Sequence, residues 1–314
     1  MNIVVRGPSS EAEEKAILAV VPEAKIRHCP PKEDVTPFLD EAEVIFGQLS
    51  PRDLPLAPRL RLLQVASAGV DRLLSDELRQ SKATLCTASG IHGDTIAEHV
   101  FMMMLAMVRQ LPAYLHAQQD RVWKVLDLDI LNGKVLGIVG FGSIGEEIGR
   151  RAKSFGMSVI GLRRNKADTV DRNLADDVWG EEDLDRLLSI ADHVVIAVPL
   201  TPATRGLISQ RRLSLMKNTA FIYNIARGPV IDENALTMAL RDKRIAGAGL
   251  DVFETEPLPA GSPLWGMDNV IVTPHSAGGM PGYRERAFAV FIDNLCRLRD
   301  GEPFINEVDK EAGY

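Results

Sequence analysis

The sequence predicts an α/β protein built on a doubly wound parallel sheet. Three observations carry this reading. From residue 135 onward, short apolar strands alternate with turns and helices about six times over. A Gly-x-Gly-x-x-Gly stands between the first of those strands and the helix that follows it. The first hundred residues show a similar alternation of short apolar runs and polar helical stretches.

Residues 3–5 form a first strand, followed over 10–21 by an amphipathic helix that Ser10 opens as a cap. Residues 44–46 and 62–65 are further strands. A helix starts near Thr95, where Thr95 and Glu98 have capping-box spacing. Phe101, Met102, Met103, Met104, Leu105 and Met107 make it apolar nearly all round, which predicts burial on most sides. The second block of strands covers 135–139, 158–162, 193–198, 220–224, 246–250 and 270–273. A last helix over 281–299 carries Phe288, Phe291, Ile292, Leu295 and Leu298 at helical spacing. Beyond it, Phe304 and Ile305 are placed to return to the first domain.

The 314 residues suffice for two ordinary domains. With 46% hydrophobic and 25% charged residues the balance is that of a globular protein. A net charge of -7 provides no basic footprint for nucleic acid. No basic segment and long apolar run follow Met1, and the apolar stretch 100–108 is too short to cross a bilayer, so no membrane partner is expected. Cys29, Cys86 and Cys296 are scattered, with no Cys-x-x-Cys. They predict reduced thiols, a cytoplasmic location and no metal site.

The glycine motif is Gly140-Phe141-Gly142-Ser143-Ile144-Gly145. Gly140 permits the tight turn, Gly142 lets the backbone approach a pyrophosphate, and Gly145 lets the helix pack on the strand. The N–H groups of Ser143 and Ile144 then face an anion at a helix N-terminus. After the strand 158–162, where an acidic residue would read a ribose 2′-hydroxyl, the sequence has Arg163-Arg164-Asn165-Lys166. Guanidinium groups suit a 2′-phosphate. NADP(H) is therefore the favoured cofactor, with NAD(H) still possible.

Hydride transfer to a carbonyl needs a proton donor for the developing oxyanion and a cation for the substrate carboxylate. Arg227, Glu256 and His275 each follow a strand of the second block, at the ends where open α/β sheets place their ligands. Guanidinium is a bidentate partner for carboxylate, and imidazole donates a proton in one direction and accepts it in the other. Singly each is an ordinary surface residue; their joint placement is what points to catalysis.

These residues resemble the D-isomer-specific 2-hydroxyacid dehydrogenase family, of the glyoxylate/hydroxypyruvate reductase kind. The resemblance spans about residues 62–303 and is strongest in five blocks: 140–145, 198–204, 216–232, 250–259 and 273–278. It implies a Rossmann-type domain over 99–284, inserted into a smaller flavodoxin-like α/β substrate domain formed by 1–98 and 285–314. It implies that Arg227 clamps the substrate carboxylate, assisted by backbone N–H groups at Ala68 and Gly69, and that His275 is the acid/base paired with Glu256. It implies that Asp251 and the backbone at Ile225 hold the nicotinamide amide, while Pro199, Thr204 and Gly278 line the cofactor site. Homodimers joined through the cofactor domain are implied as well, with Trp123 at the subunit contact.

The sequence departs from the family at the ribose position, where Arg163 replaces the usual acid. The reaction read from this is NADPH-dependent reduction of a small 2-oxo acid to the D-2-hydroxy acid. Phosphoglycerate dehydrogenase, D-lactate dehydrogenase and a bulkier 2-ketoacid reductase are the alternatives within the class. The first of these is disfavoured by the absence of an extra regulatory domain. A cofactor-sensing corepressor on the same fold is the rival from another class; the compact length and lack of a basic or low-complexity tail weigh against it.

Overall fold

The structure, a computed structural model, describes residues 1–8, 10–71, 73–164 and 171–314. The chain divides into two compact units, Met1–Ile91 with Met280–Tyr314, and His92–Gly279.

The first unit opens with β1 (Asn2–Val5), α1 (Glu11–Val20), β2 (Lys25–His28), β3 (Val44–Phe46), β4 (Leu62–Gln64), α2 (Asp76–Gln80) and β5 (Thr84–Cys86). Its parallel sheet has the order β2-β1-β3-β4-β5, the flavodoxin-like arrangement. The central strands β3 and β4 are buried at every residue, all apolar but Gln64, as expected of a parallel sheet covered on both faces. Ser10 caps α1 by accepting from the Glu13 N–H, as its position predicted. Strands β2 and β5 escaped the sequence reading. The first is an edge strand reading Lys-Ile-Arg-His, with one apolar residue; the second is three residues long.

The second unit contains α3 (Gly93–Val108), α4 (Leu111–Gln119), β6 (Val135–Val139), α5 (Ser143–Ser154), β7 (Ser158–Leu162), β8 (Asp177–Trp179), α6 (Leu184–Ile190), β9 (His193–Ile196), α7 (Gln210–Leu213), β10 (Phe221–Asn224), α8 (Glu233–Arg241), β11 (Gly247–Leu250) and β12 (Val270–Val272). Its seven parallel strands run β12-β11-β10-β9-β6-β7-β8. Chain order reverses between β6 and β9, the switch point where doubly wound sheets bind ligands. The six expected strands are all present, and β8 adds a short edge strand.

One local expectation is corrected. Helix α3 begins at Gly93 after His92, with no side-chain cap, so Thr95 lies inside the first turn and Thr95/Glu98 is not a capping box. Ten of the sixteen residues of α3 are buried, as its nearly all-round apolar content predicts, while Met102 and Leu105 are exposed.

After the second unit the chain returns to the first through α9 (Tyr283–Asp300). Phe288 and Phe291 pack their rings on Phe46 of β3 at 5.2 and 5.0 Å. Burying each phenyl ring contributes about 2 kcal/mol, which ties the C-terminal segment to the N-terminal sheet.

Candidate active site

Three loops at the carboxyl ends of β10, β11 and β12 carry the expected catalytic side chains. Arg227 follows β10. Its backbone is held by Asn224, the last residue of that strand, which is 1% exposed. Asn224 donates from Nδ2 to the Arg227 carbonyl at 3.0 Å and accepts the Ala226 N–H at Oδ1, 3.1 Å. A buried amide must satisfy both its ends, and here it does so by fixing this loop. The Arg227 guanidinium is half-buried and donates to the Ala226 carbonyl at 2.7 Å. Gly228 comes next because a Cβ there would collide with the backbone of Phe253. Its absence lets the loops after β10 and β11 touch.

The second loop presents Glu256. Its Oε1 accepts the Phe253 N–H at 3.2 Å, and its Oε2 lies 2.9 Å from His275 Nδ1. The carboxylate accepts, so Nδ1 carries the proton and Nε2 is turned to the outside of the pair. The imidazole is 44% exposed and the carboxylate 20%. His275 holds a left-handed backbone, φ 52°. That conformation costs a non-glycine residue on the order of 1 kcal/mol and persists only where neighbours enforce it.

Asp251 is the enforcer. It is 1% exposed and follows β11. Its backbone carbonyl accepts the His275 N–H at 2.7 Å. Its Oδ1 accepts the Ser276 N–H at 2.8 Å and the Thr273 hydroxyl at 2.7 Å, and its Oδ2 accepts the Ala277 N–H at 2.9 Å. The expectation that Asp251 faces a nicotinamide amide meets a carboxylate already engaged in three hydrogen bonds; Oδ2 keeps further acceptor capacity. Asn224 and Thr273 were not singled out in the sequence, since neither type is diagnostic after a strand.

The glycine motif forms the turn between β6 and α5. Gly140 has φ +103°, and a Cβ on it would lie 2.6 Å from the Ala197 carbonyl. A Cβ on Gly145 would lie 2.6 Å from the Gly140 carbonyl oxygen. Gly142 is different: a Cβ there would meet nothing within 4 Å. That open space fronts the first turn of α5, which no side chain caps. The donors of Ser143 and Ile144 begin that helix, so the turn fits the pyrophosphate of a dinucleotide. The Phe141 ring is buried in the core, filling the space a Cβ on Gly161 would need.

Arg163 and Arg164 follow β7 with exposed side chains, and the Arg163 N–H is held by the Trp179 carbonyl at 3.2 Å. Asn165 and Lys166 of the same basic turn lie outside the described residues. Thr204 donates to the Pro199 carbonyl at 2.6 Å and accepts the Thr201 N–H at 2.8 Å, closing the loop after β9. Ile225 is buried just beyond β10. Gly278 faces His92, whose ring carbon would stand 3.2 Å from a Cβ there. Among the described residues no cluster of His, Cys, Asp and Glu could hold a metal ion.

Ala68 and Gly69 belong to the first unit, in a half-buried turn after β4. That turn is pinned three times. The Tyr283 hydroxyl donates to the Ala66 carbonyl at 2.7 Å, the Ala88 N–H to the Ser67 carbonyl at 3.1 Å, and the Ser67 hydroxyl to the Gly69 carbonyl at 3.0 Å.

Comparison with known proteins places the chain in a family. Residues 101–277 match the D-isomer specific 2-hydroxyacid dehydrogenase NAD binding domain. A glyoxylate reductase of Thermococcus kodakarensis is 36% identical over 266 residues, 82% of this chain and 78% of its own. A D-isomer specific 2-hydroxyacid dehydrogenase of Xanthobacter autotrophicus, solved with NADPH and MES, superposes with a TM-score of 0.86 at 31% identity, covering 100% of this chain and 99% of that one. The NADPH-dependent glyoxylate/hydroxypyruvate reductase of Sinorhizobium meliloti, solved with NADP and sulfate, gives 0.85 at 27% identity with the same coverage.

Proposed function

We propose that this chain, which belongs to the D-isomer specific 2-hydroxyacid dehydrogenase family, reduces a small 2-oxo acid with NADPH as its preferred donor. As a family member it is an NAD(P)-dependent oxidoreductase acting on the 2-oxo/2-hydroxy acid pair. The observation that carries the reading is the 2.9 Å pair between Glu256, in the loop after β11, and His275, on a strained turn after β12, in the same row of loops as Arg227 after β10.

The residues divide the work as follows. Arg227 binds the substrate carboxylate through its planar fork. Gly142, Ser143 and Ile144 receive the pyrophosphate, and Asp251 Oδ2 has an acceptor position left for the nicotinamide amide. When bound there, the nicotinamide would supply hydride for the carbonyl carbon. His275 gives the proton at Nε2 to the carbonyl oxygen, while Glu256 fixes the ring's tautomer and sets negative charge against the imidazolium. In the reverse direction Nε2 accepts that proton.

NADPH preference rests on the exposed pair Arg163 and Arg164 at the end of β7, guanidinium groups at the place where an acid would read a ribose 2′-hydroxyl. Glyoxylate or hydroxypyruvate is the substrate class favoured, from the relatives just described. Association into a homodimer follows from an unusually apolar stretch. Trp123 is 96% exposed and Val125 84%, joined by exposed Met102, Leu105, Leu111, Leu115, Val122 and Ile130. Exposed aromatic and aliphatic side chains of this size favour burial against a second copy. A cytoplasmic location fits the scattered free cysteines, and no described helix is long and apolar enough to cross a membrane.

Steady-state rates with NADPH and with NADH against glyoxylate, hydroxypyruvate, pyruvate and larger 2-oxo acids test the proposal. The expected result is turnover on a small acid, with kcat/KM for NADPH at least about tenfold above NADH, the value of one charge-assisted hydrogen bond. Equal or better use of NADH would remove the role given to Arg163 and Arg164.

A further inference from the structure

Behind the strained turn lies a side chain that neither the sequence motifs nor the reaction requires. His99, on α3, is 13% exposed and places Nε2 2.9 Å from Thr273 Oγ1 and 3.6 Å from Asp251 Oδ1. Thr273 has one hydroxyl proton, and it is committed to Asp251 Oδ1 at 2.7 Å. The Thr273 oxygen is therefore left to accept, and His99 Nε2 must be the donor. The result is a directed chain: His99 Nε2–H to Thr273 Oγ1–H to Asp251 Oδ1. It ends on the carboxylate that holds the Ser276 and Ala277 N–H groups and whose own backbone carbonyl holds the His275 N–H.

We propose that His99 is a positioning residue for His275, acting through Thr273 and Asp251 to keep the left-handed turn that presents the acid/base. Three consecutive backbone N–H groups, at His275, Ser276 and Ala277, all end on Asp251. A carboxylate that rotates by one torsion releases two of them together. Thr273 and His99 oppose that rotation from the side of Oδ1, and α3 is a sixteen-residue helix that gives the chain a rigid origin. The proposal rests on His275 being the acid/base; the position of the turn does not.

Two polar variants separate the role from general stability. In His99→Gln the amide nitrogen reaches the place of Nε2; in His99→Asn it reaches only the place of Nδ1. On full-length protein with NADPH and glyoxylate, His99→Asn is expected to lower kcat about tenfold, the value of one hydrogen bond to a charged network. Its KM for glyoxylate should stay within about twofold, because Arg227 is untouched. His99→Gln is expected to recover most of the loss. Amide hydrogen exchange of the protein without cofactor is the second readout. Ser276 and Ala277 should exchange about tenfold faster in His99→Asn, and near the wild-type rate in His99→Gln. If both variants keep wild-type kcat and exchange at this turn, or both only lower the melting temperature, the positioning role is wrong. If the wild type reduces no 2-oxo acid, the functional reading fails, and the exchange comparison still decides whether His99 holds the turn.

Discussion

The two ends of the second unit's sheet treat the same side chain in opposite ways. At the amino end, His193 opens β9 and is 1% exposed. It lies between the rings of Phe221 and Tyr223, and Nδ1 is 3.1 Å from the Tyr223 hydroxyl. Burial pushes its pKa down to about 4, against a smaller upward pull from Asp192. The ring is neutral at physiological pH and serves as packing. At the carboxyl end, His275 stands on a strained turn, 44% exposed, with a carboxylate on one nitrogen and the other turned outward. The strands are alike; what differs is what the loops place around the ring. A histidine's usefulness in proton transfer is set by its shell, and the carboxyl ends of a parallel sheet are where loops build such shells.

The comparison breaks most decisively at His275. His275→Ala should lower kcat by about 10²–10⁴, the usual contribution of a positioned acid/base. Dinucleotide binding, followed by fluorescence titration, should change little. A loss under tenfold would make the two histidines equivalent and remove the acid/base assignment.

The amino end is expected to respond to pH through stability and not through turnover. Below the ordinary histidine value near 6.5 the unfolded chain takes up a proton that folded His193 refuses until about pH 4. Stability is therefore complete above about pH 6.5 and falls as the pH drops toward 4, by roughly 3 kcal/mol from this group. Denaturant melts across that window should show the slope, and His193→Gln should flatten it while leaving neutral-pH turnover within about twofold. An unchanged slope in the variant would place the acid sensitivity elsewhere.

The smallest effect sharpens the contrast from the side of the glycine turn. Gly142→Ala adds a methyl group where the protein has nothing within 4 Å. Thermal stability should hold, while affinity for NADPH, measured by titration calorimetry, falls about tenfold because the methyl occupies the pyrophosphate's approach. Gly140→Ala, with its Cβ 2.6 Å from the Ala197 carbonyl at positive φ, should lose stability as well. If both variants behave alike, the open space at Gly142 is not the cofactor's.

These differences also explain what could be read from residues alone. The glycine turn is made by missing side chains, and glycines at fixed spacing announce it. Apolar strands of both sheets were legible even at three residues, as in β3 and β12; β2, β5 and β8 were not, being short edge strands that carry polar residues. Arg227, Glu256 and His275 were legible because each type is chemically loaded and follows a strand. Their supports were not. Asn224, Thr273 and His99 are ordinary residues whose roles arise from contacts made across the fold, such as the 174 positions between His99 and Thr273. The false capping box at Thr95 has a related cause: the spacing is local, but His92 and Gly93 start the helix two residues earlier.

The central claim is that His275, held by Glu256 and by Asp251, gives a proton to a 2-oxo acid as NADPH reduces it. Its most direct test is the disappearance of NADPH absorbance with glyoxylate and hydroxypyruvate, run side by side for the wild type and His275→Ala. The account predicts turnover in the wild type and a loss on the order of 10²–10⁴ in the variant with NADPH still bound. A variant that reduces either acid at close to the wild-type rate would contradict it.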